Sequence, residues 1–265
     1  MRTLSILYTF RELLLNLVVR DLRSRYRGSV LGLLWTVLTP LFMAMIYIFF
    51  LRLLRVRIPH EELIIGVFAW QFTVQSIQSG MSCITGNANL VKKIYFPRMI
   101  IPLSVTLAAL VNYLLMLVVQ FSVVGFLLHR VGASLSLWSL GLPVLIAYHF
   151  MFSFSMALLV AASNVYFRDT QHLVGLLLSA WFFVSPIMYP LSMIENLAGD
   201  AVWISSLYML NPLSVIVTAY RAMQLSSVTF PWSPWAMVGL LWPFLLALLA
   251  FVTFQRSQRY FSDWL

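Results

Sequence analysis

Residues 100–128 read IIPLSVTLAALVNYLLMLVVQFSVVGFLL and contain no charged side chain. An α-helix rises 1.5 Å per residue, so about 20 apolar residues cross the ~30 Å hydrocarbon core of a membrane. This stretch is longer than that and would span a bilayer with a tilt. Five further apolar stretches lie at residues 30–51, 63–84, 140–163, 173–189 and 235–254. The sequence therefore predicts an all-α polytopic membrane protein with six transmembrane helices.

The composition supports a membrane protein and limits what can drive it. Hydrophobic residues make up 62% of the chain and charged residues 9%, which is far from the average of soluble proteins. None of the 8 acidic residues lies inside a predicted span, whereas ion-coupled transporters keep carboxylates at membrane depth. The sequence also lacks the G-x-x-x-x-G-K-[ST] pattern that binds nucleotide phosphates. Energy for uphill transport would therefore have to come from another chain.

No pattern in the sequence predicts catalysis or metal binding. There is no plausible Ser/His/Asp or Cys/His arrangement and no pair of carboxylates at a common depth. The 4 histidines lack the spacing of metal ligands, and the single Cys83 excludes an internal disulfide. We therefore expect no catalytic residue, no metal ligand and no cofactor held by this chain.

The distribution of charge predicts the orientation in the membrane. Six spans place both termini on one side, which would carry twelve of the 17 lysines and arginines against five on the other. The positive-inside rule then assigns both termini to the cytoplasm. Membrane topology thus accounts for the net charge of +9, and we expect no nucleic acid partner.

Residues 1–29 precede the first span and are predicted to form a cytoplasmic amphipathic helix. Polar residues recur at steps of three or four and so share one helical face. This face consists of Glu12, Asn16, Arg20, Arg23 and Arg27. We expect the apolar side to contact membrane lipids at the interface. The polar face is either the solvated side of a simple anchor or a surface for a cytoplasmic partner.

Residues 87–98, NANLVKKIYFPR, form the second cytoplasmic segment and mix charged with aromatic side chains. Pro97 ends any helix just before the third span. A short polar turn would be enough to connect two spans, so the additional apolar residues predict a docking element. The alternative is that the aromatics only anchor in the interface. On the opposite side, residues 191–225 predict short re-entrant or surface helices, because their apolar runs are too short to span.

A row of polar residues in the second predicted span indicates a hydrated path. Gln71, Gln75, Gln78 and Ser82 are spaced by four, three and four residues, which places them on one helical face. Amides at membrane depth are costly unless they are paired or hydrated. The row therefore either lines a wet path or bonds neighbouring helices. Side chains that would add aromatic or polar surface for sugars, with ordinary packing as the alternative, are Trp35, Thr39, Phe42, Trp181 and Tyr189.

Several motifs occur in a fixed order along the chain. They are RDLRSRYRGS at 20–29, NLVKKIYFPR at 89–98, FRD at 167–169, SPIMY at 185–189, and Asn211-Pro212 followed by Arg221. In this order and spacing they resemble the membrane subunit of a type-2 ABC exporter. The resemblance is to the polysaccharide-exporting branch, the O-antigen and teichoic-acid permeases, and it covers nearly the whole chain.

This resemblance implies a homodimer of six-span subunits in the bacterial cytoplasmic (inner) membrane. Each dimer would bind two separate ABC ATPase subunits, which hold ATP and Mg, and the N-terminal helix would lie on them. The implied cargo is an undecaprenyl-pyrophosphate-linked glycan, and residues 191–225 would carry the gate helices. The resemblance assigns ATPase coupling to Asn87, Asn89, Leu90, Lys92, Lys93, Tyr95, Phe96, Pro97, Arg98, Phe167, Arg168 and Asp169.

Two other functions stay open at this point. The permease of a small-molecule or drug ABC exporter would share most of these patterns. A membrane-embedded lipid-modifying enzyme is the second alternative. It would need acidic or metal-binding residues that converge near the headgroup boundary, and the sequence does not supply them.

Overall fold

The computed structural model describes residues 9–93, 96–198 and 202–265, and these are mainly helical. The only β-type pairing in these ranges is an isolated bridge between Leu135 and Leu225. The α-helices in chain order are α1 (Arg11–Tyr26), α2 (Leu34–Leu53), α3 (His60–Cys83), α4 (Ala88–Lys93), α5 (Ile100–Arg130), α6 (Leu142–Tyr166), α7 (Thr170–Val184), α8 (Leu191–Ala198), α9 (Val202–Leu210), α10 (Pro212–Gln224), α11 (Pro234–Ser257) and α12 (Phe261–Trp264).

Four helical stretches in the described ranges are long and apolar enough to cross a membrane. They are α2, α5, α6 with its preceding turn, and α11 with the turns that follow it. α7 is apolar but has only 15 residues. α3 has 24 residues, or about 36 Å at 1.5 Å per residue, but its glutamines and serines lower its hydropathy. The chain is therefore a polytopic membrane protein, and its described residues contain four candidate spans.

The helix ends differ from the predicted spans where glycine and proline turn the chain. α2 begins at Leu34 rather than at residue 30, because the preceding turn contains Gly32 with φ 49°, a left-handed conformation that glycine adopts easily. α7 ends at Val184 rather than at residue 189, since Pro186 lacks the N–H that a continuing helix needs. The predicted N-terminal helix is described from Arg11 to Tyr26, and residues 1–8 lie outside the described ranges.

α3 lies at the centre of the fold and packs against α2, α5, α6 and α10. Ile65, Phe68 and Phe72 of this helix have no exposed surface. Gly80 permits a close approach to α6, because a Cβ at this position would lie 2.6 Å from the Cβ of Ala157. By contrast, α2 and α11 expose many large apolar side chains. Such surfaces contact lipid or another chain.

The ends of α3 mark the two ends of the molecule. Its first residues lie against α10, and α8, α9 and α10 together form a group of short helices that we call the cap. Asn211 caps α10 by accepting the N–H of Leu213, with Pro212 at the first helical position. The last residues of α3 lie against α1 and lead into α4. We call this opposite end the N-terminal end.

Candidate functional site

The polar row predicted on α3 borders two adjoining cavities between α1, α2, α3 and α5. One has a volume of about 180 Å³ and the other, nearer the N-terminal end, about 560 Å³. Arg25 lines both of them, and we call the pair the polar cleft. The predicted path residues that line the polar cleft are Trp35, Thr39, Gln71, Gln75, Gln78 and Ser82.

Arg25 brings a charge into the polar cleft that the periodicity of α3 did not predict. Its Nε donates to Oδ2 of Asp21 at 2.9 Å, and its Nη2 donates to Oγ of Ser79 at 2.7 Å. The neighbouring Tyr26 hydrogen bonds to Thr36. These bonds connect the end of α1 to both α2 and α3. Arg25 and Tyr26 lie within the RDLRSRYRGS motif, which was the only signal in the sequence that could have pointed to them.

The polar cleft offers both hydrogen-bonding groups and an accessible aromatic ring. The Oε1 of Gln75 is buried and has no hydrogen-bond partner within the described residues. Trp35 at the margin of the cleft is 48% exposed. Phe42, which lies further along α2, is 51% exposed and is not among the residues that line the cleft. An unpaired amide beside an exposed indole is chemistry that suits a sugar, because rings stack on C–H faces and amides bond to hydroxyls.

The other two predicted path residues lie at the cap and not at the polar cleft. Trp181 donates from Nε1 to Oδ1 of Asn211 at 2.9 Å, and Asn211 donates in turn to Oγ of Ser185 at 2.8 Å. The hydroxyl of Tyr189 donates to the backbone oxygen of Phe183 at 2.6 Å. Both aromatic side chains therefore hold the turn after α7 in place.

The predicted coupling segment consists of a 3₁₀ turn, α4 and the residues leading into α5. Residues 94 and 95 lie outside the described ranges, so the prediction for Tyr95 falls outside them too. Phe96 is 6% exposed and packs in a cluster with Phe261 of α12. Its ring therefore anchors the segment to the protein, because burial of apolar area is favourable. The role of Phe96 in ATPase coupling stays a prediction. Asn89, Lys92 and Lys93 are exposed, whereas Asn87, Leu90, Pro97 and Arg98 are half-buried.

Hydrogen bonds connect this segment to α1 and to the C-terminal turns. Arg20 donates to Oδ1 of Asn87 at 2.6 Å, and Asn87 donates to the backbone oxygen of Cys83 at 2.8 Å. Arg98 donates to the backbone oxygen of Gln258. The predicted coupling segment is therefore part of the packed N-terminal end.

The polar face of α1 is at the surface, while its opposite side is covered by protein. Leu17 and Val18 are buried, and α1 packs along α5. At least part of the apolar side therefore contacts protein rather than lipid. The five residues predicted for a partner surface are all exposed: Glu12, Asn16, Arg20, Arg23 and Arg27.

The second predicted contact lies in the turn between α6 and α7. Phe167 is 70% exposed, and Arg168 and Asp169 are also exposed. An exposed ring of this size in a short turn is available to a partner chain.

The cap is held by an arginine whose burial the sequence did not predict. Arg221 of α10 is 1% exposed and donates to the backbone oxygens of Glu62 at 2.9 Å, Ile187 at 2.9 Å and Tyr189 at 3.1 Å. The Glu62 carboxylate lies 3.8 Å from its Nε. Burial lowers the pKa of Arg221 to about 10, and the nearby Glu62 carboxylate opposes this shift. Arg221 therefore stays positively charged at neutral pH.

The centre of the bundle contains a buried polar contact without the features of a metal site. His149 of α6 lies 2.7 Å from Oγ1 of Thr73, and its ring packs against Phe72, Tyr113 and Tyr220. Among the described residues no group of three or more His, Cys, Asp or Glu could hold a metal ion. His149 is therefore a packed core histidine.

Comparisons with known proteins agree with the motifs in the sequence. Residues 12–225 match the family described as "ABC-2 type transporter". The chain is 34% identical over 220 residues to the "O-antigen export system permease protein RfbA" of Myxococcus xanthus, covering 82% of this chain and 81% of that protein. It is 33% identical over 221 residues to a protein of the same name from Klebsiella pneumoniae, covering 82% of both chains.

The family match runs from the start of α1 through α10 and therefore includes the polar cleft, the predicted coupling segment and the cap. The matches confirm the resemblance to type-2 ABC exporters, and they identify a transporter subunit rather than a membrane enzyme. A permease of this kind works with an ATPase partner. The chain belongs to the ABC-2 type transporter family of membrane proteins.

Proposed function

We propose that this chain is the transmembrane subunit of an ATP-driven exporter that moves an O-antigen-like polysaccharide across the bacterial cytoplasmic membrane. The glycan would be linked to undecaprenyl pyrophosphate, and a separate subunit would bind ATP and Mg. The observation that carries this proposal is the match of about four-fifths of the chain to proteins named O-antigen export permeases. The polar cleft supports it, because amides beside an accessible indole suit a hydroxylated cargo.

The proposed topology has six spans, with α3 and α7 added to the four apolar helices. Because α3 is surrounded by other helices, its glutamines face the polar cleft and not lipid. The excess of lysine and arginine favours a cytoplasmic N-terminal end with both termini inside. The cap would then lie on the outer side and act as a gate.

A second copy of the chain and two ABC ATPase subunits complete the proposed exporter. The large exposed apolar surface of α2 would pack against the second copy and close the polar cleft. The ATPases would bind the N-terminal end, where the polar face of α1, the exposed lysines of α4 and Phe167 lie. Charged residues at the edge of a binding surface steer the association of two proteins and fix the register in which they dock.

Deletion of the gene tests this function. We expect the deletion strain to lose its cell-surface polysaccharide and to accumulate undecaprenyl-linked glycan inside the cell, and the wild-type gene to restore export. Unchanged surface polysaccharide would refute the proposal. If drug susceptibility changed instead, the chain would be the permease of a small-molecule exporter.

A further inference from the structure

The cap encloses a third cavity that the polar cleft does not include. It has a volume of about 250 Å³ and lies between the start of α3, the turn after α7, α8, α10 and the loop after α10. Residues 62 and 71 are nine positions apart, which is half a turn beyond two full turns of a helix with 3.6 residues per turn. Glu62 at this cavity and Gln71 at the polar cleft therefore lie on opposite faces of α3. The two sites are separate.

Buried polar groups of this cavity remain available for a ligand. Thr218 is 3% exposed, and its Oγ1 has no hydrogen-bond partner in the described part of the chain. Three other helical threonines, Thr39, Thr106 and Thr253, bond to the carbonyl four residues earlier. Arg221 uses three N–H groups on backbone oxygens, and a guanidinium has five. The Glu62 carboxylate at 3.8 Å is too far from Arg221 for a hydrogen bond and stays free to accept.

This set of groups fits a sugar better than a metal ion. Sugar hydroxyls donate and accept, so they can bond to the Glu62 carboxylate, the Thr218 hydroxyl and the free N–H groups of Arg221 at the same time. Two carboxylates, Glu62 and Glu195, line the cavity beside the guanidinium, but the described residues contain no group of three or more His, Cys, Asp or Glu that could hold a metal ion. Pro190 and Val228 add apolar wall for the C–H face of a ring. The volume is below the ~300–1,000 Å³ typical of drug-sized ligands, which suits one sugar residue.

An aromatic cavity of about 670 Å³ lies directly beside this one. Val228 and Thr229 line both cavities, so the two share a wall. Trp232 is 72% exposed at the aromatic cavity, and its ring centroid lies 4.8 Å from that of Phe230. An exposed indole next to a polar cavity provides a stacking surface for the next sugar of a chain.

We propose that the cap carries a saccharide-binding site distinct from the polar cleft. One sugar residue binds to Glu62, Thr218 and Arg221, and the adjoining residue stacks on Trp232. The identity of the saccharide as the exported glycan rests on the proposed function. The chemistry by which this cavity would bind a saccharide does not depend on the proposed function.

The test uses the full chain in lipid nanodiscs and the oligosaccharide that mild acid releases from the strain's own surface polysaccharide. Binding is measured by saturation-transfer NMR. We expect binding by the wild type and about tenfold weaker binding by Thr218→Val, which loses one hydrogen bond from a buried site. Valine has the same shape and removes an unpartnered hydroxyl, so the variant should fold normally. Thr253→Val, on the exposed face of α11, is the matched control and should bind like the wild type.

Trp232→Leu provides a second, independent variant that should also weaken binding. Absent binding by the wild type, or equal binding by Thr218→Val and the control, would overturn the proposal. Because export is measured separately in the deletion strain, restored export without saccharide binding refutes only this site. If the purified protein binds the saccharide but the deletion strain keeps its surface polysaccharide, only the proposed function is refuted.

Discussion

Replacement of Arg221 by methionine should cause a large loss of stability. Methionine keeps much of the volume of arginine, but it leaves the backbone oxygens of Glu62, Ile187 and Tyr189 without their donor. A hydrogen bond from a charged donor contributes about 1.5–3 kcal/mol, so three set an upper bound of about 5–9 kcal/mol. Relaxation of the cap lowers the expected cost to about 3–5 kcal/mol, which is usual when one partner of a buried ionic contact is removed.

The single cysteine allows this cost to be measured without a label at the cap. Cys83 is buried at the other end of α3, so a thiol reagent reaches it when the bundle opens. When reclosing is faster than labelling, the labelling rate follows the population of the open state. A loss of 3–5 kcal/mol should therefore raise the rate roughly 150- to 5,000-fold.

Two control variants make the result decisive. Arg130→Met removes an exposed arginine that lies over the ring of Phe126, and it should change the rate by a few-fold at most, since exposed cation–π contacts contribute about 0.5–1 kcal/mol. Ile65→Ala, at a position with no exposed surface, should cost about 2–5 kcal/mol and confirm that Cys83 reports on core stability. If Ile65→Ala accelerates labelling and Arg221→Met does not, the three hydrogen bonds do not stabilise the cap.

The remaining predictions concern the polar cleft, the core and the coupling surface. In a Cys83→Ser background, Gln71→Cys and Gln75→Cys should react with small water-soluble thiol reagents, whereas Leu248→Cys on the exposed apolar face of α11 should stay unreactive; equal protection would mean that the row only bonds helices together. Gly80→Val should destabilise the bundle by about 1–3 kcal/mol, because its Cβ would meet Ala157 at 2.6 Å. Gly175→Ala, with no atom within 4 Å, should instead stabilise α7 by up to about 1 kcal/mol, and thermal unfolding of both variants checks the pair. Phe167→Ala should weaken ATPase recovery in pull-down without changing thermal stability, since the ring is 70% exposed; normal recovery would remove this turn from the coupling surface.

The helices could be predicted largely from the apolar runs, but the number of spans could not. The run at 100–128 is found as Ile100–Arg130, because a membrane-length apolar stretch has few other stable conformations. α3 is different, since its glutamines reduce its hydropathy below that of a lipid-facing helix. It is nevertheless the most enclosed of the long helices, because the surrounding helices cover it. Hydropathy alone does not distinguish a protein-covered span from a partly polar surface helix.

The polar cleft could be predicted only from the side of α3. Helical periodicity placed Gln71 and Gln75 on one face, and both line the cleft. The periodicity of α3 cannot predict Arg25, because this residue reaches the cleft from α1. Nor does it predict the burial of Phe96, whose ring packs in a cluster that includes Phe261 from the far end of the chain. Periodicity describes one helix at a time, whereas the site and its burial depend on which helices meet.

Arg221 shows why the missing information lies in the backbone. The oxygens of Ile187 and Tyr189 belong to a turn in which Pro186 and Pro190 lack N–H groups, so local bonds cannot satisfy them all. A guanidinium presents several donors in a planar fork and can serve three carbonyls in different directions. A lysine ammonium is a single point on a flexible stem and does not match this geometry. Gly66 belongs to the same arrangement, because a Cβ there would lie 2.4 Å from the oxygen of Ile187 and 2.9 Å from Nη2 of Arg221. The turn, 34 residues away from Arg221, thus requires both this arginine and Gly66. No pattern of side chains along α3 or α10 could have predicted this requirement.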